Sequence, residues 1–292
     1  MKFSFIKTVI LFILLSSQAW AYRAAQSTLI PYYGEEFYQQ LKSGATGEDL
    51  MAKIKQVLRS YHIRQGANPD IIAGDCQGQG GCYRHESIGY GRARIFLLGN
   101  FYLVRDNNGY GVKDVYCDTV RSEREFGKGA RPGPNQIPDN TVVNTEHTWP
   151  QSRFNGRHPD DYQKSDLHHL FPTDSQLNAI RGNHPFGEVV RDQQNLKCAS
   201  GARFGMGDGR ARRDVFEPPQ GHKGNVARAL FYFSLRYDLP IDQDEEATLR
   251  KWHREDPVDN EEVTRNEEIF KIQGNRNPFI DFPDVVDKIN NF

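Results

Sequence analysis

Asn144-Thr145-Glu146-His147-Thr148-Trp149-Pro150-Gln151-Ser152 is the stretch from which the rest of this chain can be read. The residues leading into it, 141–144, are Thr-Val-Val-Asn, a short strand ending on a carboxylate followed at once by an imidazole. Some twenty residues later comes Asp166-Leu167-His168-His169-Leu170-Phe171-Pro172. With Leu167, Leu170 and Phe171 apolar, this reads as a second strand, stopped by Pro172. Thr173 or Asp174 then N-caps a short helix that carries Asn178. The local order is strand, loop, strand, helix.

A carboxylate and a carboxamide are oxygen donors that suit a hard divalent cation. Mg²⁺ takes few protein ligands and keeps several waters; Mn²⁺ and Ca²⁺ accept the same donors. Glu146 and Asn178 are the candidate ligands. His147 follows Glu146 directly, and successive strand side chains point to opposite faces. It can therefore stand across a scissile group from the metal, and near its ordinary pKa it is a natural base for water. These are the parts of a one-metal phosphodiester hydrolase. Each part has a bland reading, since a Glu-His dipeptide is common and a His-His pair on an apolar strand is usually one packed and one solvated ring. The order and spacing together carry the signal. Two rival readings are a zinc hydrolase on His147, His168 and His169 and a non-catalytic, disulfide-stabilised binding protein on the same fold. Adjacent strand histidines point apart and make a poor ligand pair, and the intact Glu146, His147 and Asn178 argue against the binding protein.

Glu146-His147, the Asp166–Pro172 run and Asn178 together resemble the bacterial endonuclease I family, the periplasmic and secreted non-specific nucleases built around a ββα-metal (His-Me) finger. Further pieces resemble that family: Tyr90-Gly91-Arg92-Ala93-Arg94, Gly109-Tyr110-Gly111-Val112-Lys113-Asp114-Val115-Tyr116-Cys117, Glu217-Pro218-Pro219, Lys251-Trp252-His253-Arg254 and Gln273-Gly274-Asn275-Arg276-Asn277-Pro278. The likeness runs from about Gly89 to Phe282. It implies His147 as general base and Glu146 and Asn178 as ligands of one Mg²⁺. It also implies an arginine from residues 153–165 on the scissile phosphate, for which Arg153 and Arg157 are both candidates. Asp166, His168 and Glu217, with Arg228, would stand behind the site as a supporting layer. Arg181 is a further basic candidate for the nucleic acid, or else a charge that complements the helix C-terminus. His169 stands where the family usually has Asn. The implied activity is cleavage of DNA, with RNA the second candidate substrate, to 5′-phosphate products. Specificity would be low because phosphate and sugar contacts position a protein without reading bases. The protein is expected to act as a monomer away from any membrane.

Composition bounds these readings. Lys2 and Lys7 flank an apolar run, 9–15, and Ala19-Trp20-Ala21 has small residues where a signal peptidase reads. Residues 1–21 are therefore expected to be a secretory signal cleaved after Ala21, giving a periplasmic or secreted protein. Lys2 and Lys7 account for two of the 37 basic residues, which leaves 35 against 38 acidic. That balance shows no general attraction to polyanions, so nucleic-acid binding would depend on local clusters such as Arg121, Arg124, Lys128 and Arg131. Cys76, Cys82, Cys117 and Cys198 make two disulfides in an exported chain. A local Cys76–Cys82 bridge would leave Cys117 for Cys198. A zinc site is the alternative, though the usual close spacing is missing. Helices are expected over 34–41 and 47–60, a strand over 112–117, a loop over 127–140 and a core helix around Val226, Leu230 and Phe233. The whole reads as one α+β domain, residues 22–292, mainly helical, built around the finger with a short β-sheet.

Overall fold

Helix α1 (Gly34–Ser43) and helix α2 (Gly47–Arg59) open the described part of the chain. In α2, Leu50, Ile54, Val57 and Leu58 form one buried stripe, with Glu48 and Asp49 in the first turn and Arg59 in the last. That charge order complements the helix dipole. The computed structural model describes residues 29–76, 78–107, 109–196, 198 and 201–292; the expected signal peptide lies outside them. Strands β1 (Tyr61–Gln65), β2 (Asn68–Ala73) and β3 (Cys82–Tyr83) form an antiparallel sheet in the order β2-β1-β3. The Cys76–Cys82 disulfide closes the loop between β2 and β3.

Helix α3 (Tyr90–Phe96) widens into a π turn at Leu97–Phe101. The widening lets residues 127–140 lie against it. A Cβ on Gly99 would stand 2.7 Å from the Gln136 backbone, so only glycine fits. Strands β4 (Leu103–Asp106), β5 (Gly109–Asp114) and β6 (Thr119–Ser122) make an antiparallel meander. The strand expected over 112–117 stops at Asp114. There the Asp114 carboxylate takes the backbone N–H groups of Tyr116 and Cys117 and turns the chain.

The finger follows: β7 (Val143–His147), α4 (Asp160–Ser165), β8 (Leu170–Asp174) and α5 (Ser175–Arg181). β7 starts two residues later than expected because the Asp139 carboxylate holds Thr141 in a turn. It then runs on through Glu146 and His147. The second expected strand is corrected at both ends. Residues 167–169 form a 3₁₀ turn because Asp166 accepts the His168 N–H. Pro172 lies inside β8 and does not end it. Its carbonyl accepts from Val115 N, on the side away from β7, so the missing N–H costs the β7–β8 ladder nothing. Asp174 caps α5 by accepting from Gln176 N and Leu177 N.

Beyond the finger, β9 (Val189–Gln194), β10 (Arg203–Gly207) and β11 (Asp214–Glu217) form a third sheet, and Cys117–Cys198 ties the β9–β10 connection to the turn that follows β5. Helix α6 (Lys223–Tyr237) is buried on every side, with Asn225 alone outside the buried set. Helices α7 (Gln243–Glu255), α8 (Asn260–Gln273) and α9 (Pro278–Asp281) wrap it. Trp252 and Phe279 are fully buried. Within this shell Arg228 donates to Glu262, to the Asp256 carbonyl and to His253. Removing one partner of a buried ion pair strands the other charge, at a cost of about 3–5 kcal/mol, whereas replacing both with apolar groups costs far less. We therefore expect Glu262→Ala to lower unfolding free energy by about 3–5 kcal/mol, and the Arg228→Met/Glu262→Leu pair to lower it much less. Urea titrations of the three proteins check this.

Candidate active site

β7 carries Glu146 and His147, α5 carries Asn178, and the end of α4 closes over the imidazole. His147 Nε2 lies 3.0 Å from the Lys164 carbonyl. A carbonyl only accepts, so Nε2 holds the proton and the lone pair is on Nδ1. Nδ1 has one neighbour, the Gln151 amide at 3.4 Å. The ring packs against Tyr90 and His169, both at 5.4 Å between centroids, and is 7% exposed. Burial lowers its pKa to about 4, aided by the charges of Lys164 and Arg181 and opposed by the Lys164 carbonyl. The sequence alone suggested a histidine near its ordinary pKa. In its fold the ring is a neutral imidazole at neutral pH, so the base form is fully populated.

Glu146 is buried on the neighbouring face. Arg181 reaches its Oε1 at 2.7 Å, and the Tyr116 hydroxyl donates to the same oxygen at 3.0 Å. Burial raises its pKa, while Arg181 and Tyr116 pull it back. Oε2 has no hydrogen-bond partner among the described residues. Asn178 approaches Thr145 O with Nδ2 at 3.5 Å, which leaves its Oδ1 without a partner too. Two oxygens of the right chemistry for a hard cation, one anionic and one neutral, are thus left unclaimed at the join of β7 and α5. Among the described residues no set of three or more His, Cys, Asp or Glu is placed to hold a metal. His168 and His169 are not a ligand pair: His168 Nε2 faces Asn275 O and His169 Nε2 faces Gln163 O.

The other candidates fall into two groups. Asp166 lies behind the finger, and His168 packs on Tyr232 at 4.6 Å. Arg153 stands beside the loop, donating to Asn183 O and pairing with Glu245 at 3.5 Å. Arg157 is exposed, and its guanidinium has no partner among the described residues. The rest, Arg124 apart, stand elsewhere than the sequence suggests. Arg181 is 1% exposed and is no surface cation. It braces Glu146 and donates to the carbonyls of His147 and Thr148. Glu217 accepts from Val189 N and Lys223 and does not face the finger. Arg228 likewise belongs to the Glu262 cluster. Arg121 is spent on Asp114, Glu125 and Asp174, bracing the meander to the finger. Arg124 lies exposed on the turn after β6. Sequence reasoning missed Tyr116, Gln151 and Tyr90. Tyr116 is thirty residues from Glu146, and its place in an apolar strand pattern marked it only as core.

Two antiparallel strands, a crossing helix and a Glu-His pair on the first strand make a ββα finger inside an α+β fold. The model of the Endonuclease I family matches residues 82–284, well over half the chain, and the chain belongs to that family. It is 37% identical over 169 residues to an extracellular ribonuclease of Bacillus subtilis (strain 168), covering 50% of this chain and 53% of that protein. It is 35% identical over 120 residues to an extracellular deoxyribonuclease of Aeromonas hydrophila (40% and 49%). It is 32% identical over 120 residues to a periplasmic deoxyribonuclease of the same organism (40% and 48%). The chain thus spans about half the length of the relatives it matches.

Burying histidines as neutral rings has a consequence for stability. Burial drives His85 and His222 from 6.5 to about 3, and His147, His168 and His253 to about 4. Below pH 6.5 the unfolded chain binds more protons than the folded one, so stability falls as pH falls until the folded pKa values are reached. Glu146, Glu245 and Glu262, whose pKa values are raised by burial, offset part of the loss. We expect the urea midpoint to hold above about pH 7 and to drop steeply towards pH 4, each ring contributing up to about 3 kcal/mol. A flat midpoint across that window would contradict the buried, neutral rings.

Proposed function

We propose that this protein is a metal-dependent endonuclease that hydrolyses phosphodiester bonds with low sequence specificity. The observation that carries the reading is the His147 tautomer: Nε2 is fixed on Lys164 O and the lone pair is left on Nδ1. Nδ1 takes a proton from water as the water oxygen attacks phosphorus. The bond from phosphorus to the 3′ oxygen breaks, that oxygen takes up a proton from solvent, and the products carry a 5′-phosphate and a 3′-hydroxyl. Gln151 donates towards Nδ1 in the resting site and must yield that position to the attacking water. Glu146 Oε2 and Asn178 Oδ1 are the atoms that would hold one Mg²⁺, with Mn²⁺ or Ca²⁺ as substitutes. When bound, the ion supplies charge to stabilise the phosphorane and the leaving oxygen. Arg181 and Tyr116 keep the Glu146 carboxylate aimed while leaving Oε2 open. Of the two loop arginines, Arg157 has the guanidinium free for a phosphate, whereas Arg153 is already engaged.

Relatives named for ribonuclease and for deoxyribonuclease activity support a nucleic-acid substrate, and we propose DNA with RNA also accepted. Their extracellular and periplasmic names, with the leader read in residues 1–21, support export. No helix among the described residues is long and apolar enough to cross a membrane. We take the working form to be a monomer.

A plasmid-nicking assay tests the reading. Cleavage should require added Mg²⁺, stop with EDTA, and fall by about 10²–10⁴-fold in His147→Ala. Asn178→Ala should raise the Mg²⁺ concentration needed for half-maximal rate. Undiminished cleavage by His147→Ala would discard the assigned base.

A further inference from the structure

A cavity of about 360 Å³ lies beside α4, between α2, the segment after β3 and the end of α6. Its lining includes Arg59, Arg84, Arg236, His85 and His158, and no carboxylate. Tyr162 of α4 also lines it, while the Lys164 carbonyl of the same helix holds His147 on another side. The cavity is therefore separate from the Glu146–His147 centre.

Arg236 is the unusual member. It is 8% exposed and forms no ion pair among the described residues. Its Nε donates to His85 Nδ1 at 3.2 Å, and its guanidinium stacks over Tyr237 at 5.0 Å. Nη1 and Nη2 have no hydrogen-bond partner among the described residues. Asp166 acts on Arg236 through space, but that carboxylate is held by Tyr232, Tyr237, Gln273 and the His168 N–H and makes no ion pair with it. A buried charge without a paired counter-charge is costly. The carboxylates nearby in sequence are already engaged: Asp238 holds Lys55 and Arg59, and Glu86 holds Arg84 Nε. Arg84 also donates from Nη1 to Tyr61, which leaves its Nη2 open. The pKa of His158 is lowered, by burial first and then by Arg236 and Arg59. That positive field is one an anion would feel as attraction.

We propose that this cavity is an anion site that takes a phosphate-class oxyanion on the guanidinium groups of Arg236 and Arg84. Planar guanidinium donors match tetrahedral oxyanions in pairs of hydrogen bonds. The phosphate can be a free ion or one along a nucleic-acid chain. The site stands on its own geometry, whether or not His147 hydrolyses phosphodiesters.

The test is calorimetric titration of the full chain in EDTA at fixed ionic strength, with inorganic phosphate in one arm and a short single-stranded oligonucleotide in the other. Saturable phosphate binding, weakened about tenfold or more in both Arg84→Gln and Arg236→Gln, is the expected result. If the oligonucleotide alone binds and both variants weaken it by that factor, the phosphate belongs to the polymer. Thermal melts separate ligand binding from mere structure. Phosphate, or the oligonucleotide in the second case, should raise the wild-type Tm but not that of Arg236→Gln, whatever its own Tm. Arg84 is partly exposed, so Arg84→Gln is expected to fold and keeps the test decisive if Arg236→Gln does not. Absence of binding in both arms, or wild-type affinity in Arg84→Gln, would overturn the proposal.

Discussion

A carboxylate taken out of water must find enough donors to replace the hydration it loses, and Asp166 finds four. Its Oδ1 accepts from His168 N and Gln273 Nε2, and its Oδ2 from the hydroxyls of Tyr232 and Tyr237. Those donors come from the 3₁₀ turn before β8, from the end of α8 and from two turns of α6. One side chain therefore fixes where the finger sits on the helical shell. It also fixes the path from α4 into β8, and with it the Lys164 carbonyl that selects the His147 tautomer. Burial opposes the ionised form, yet the surrounding histidines and the Gln273 amide leave the Asp166 pKa below the usual carboxylate range. The carboxylate is charged because its surroundings are built for the charge.

Arg181 solves a second problem of the same kind. Glu146 is buried, and an unpaired carboxylate there would take up a proton and lose the charge that the proposed ligand role requires. Arg181 and Tyr116 both address Oε1 and leave Oε2 open. The same guanidinium holds the carbonyls of His147 and Thr148, so the end of β7 is braced through backbone and side chain together. A surface arginine could attract a polyanion but could not do this.

What could be read in the sequence was what local rules govern. Asp174 caps α5 because its neighbours supply free N–H groups within two or three residues, and that places Asn178 on the helix facing β7. Alternation along a strand puts Glu146 and His147 on opposite faces. Local bookkeeping also explains the errors. Pro172 suggested a strand end, but a proline is harmless when its nitrogen faces away from the paired strand, and that depends on the neighbouring β5. The 3₁₀ turn at 167–169 follows from a rotamer of Asp166, which no periodicity records. Tyr116 and the Lys164 carbonyl act on Glu146 and His147 across thirty and seventeen residues. A backbone carbonyl has no sequence signature at all. Arg181 was ambiguous because position i+3 from Asn178 lies on a helix flank, and tertiary packing alone decided that it points inward.

In the base role proposed for it, the electrostatics of His147 have a cost. An imidazole whose pKa has dropped to about 4 is a weaker base than a free histidine. In exchange it is never lost to protonation at neutral pH. The hydrogen bond to Lys164 O partly restores basicity, because a donor N–H held on a carbonyl makes the opposite nitrogen richer in electrons. The imidazolium formed on proton transfer would keep that bond and strengthen it, since a charged donor binds a carbonyl more tightly than a neutral one. The stabilisation thus grows as charge develops, and it is supplied by a carbonyl that Asp166 had already placed.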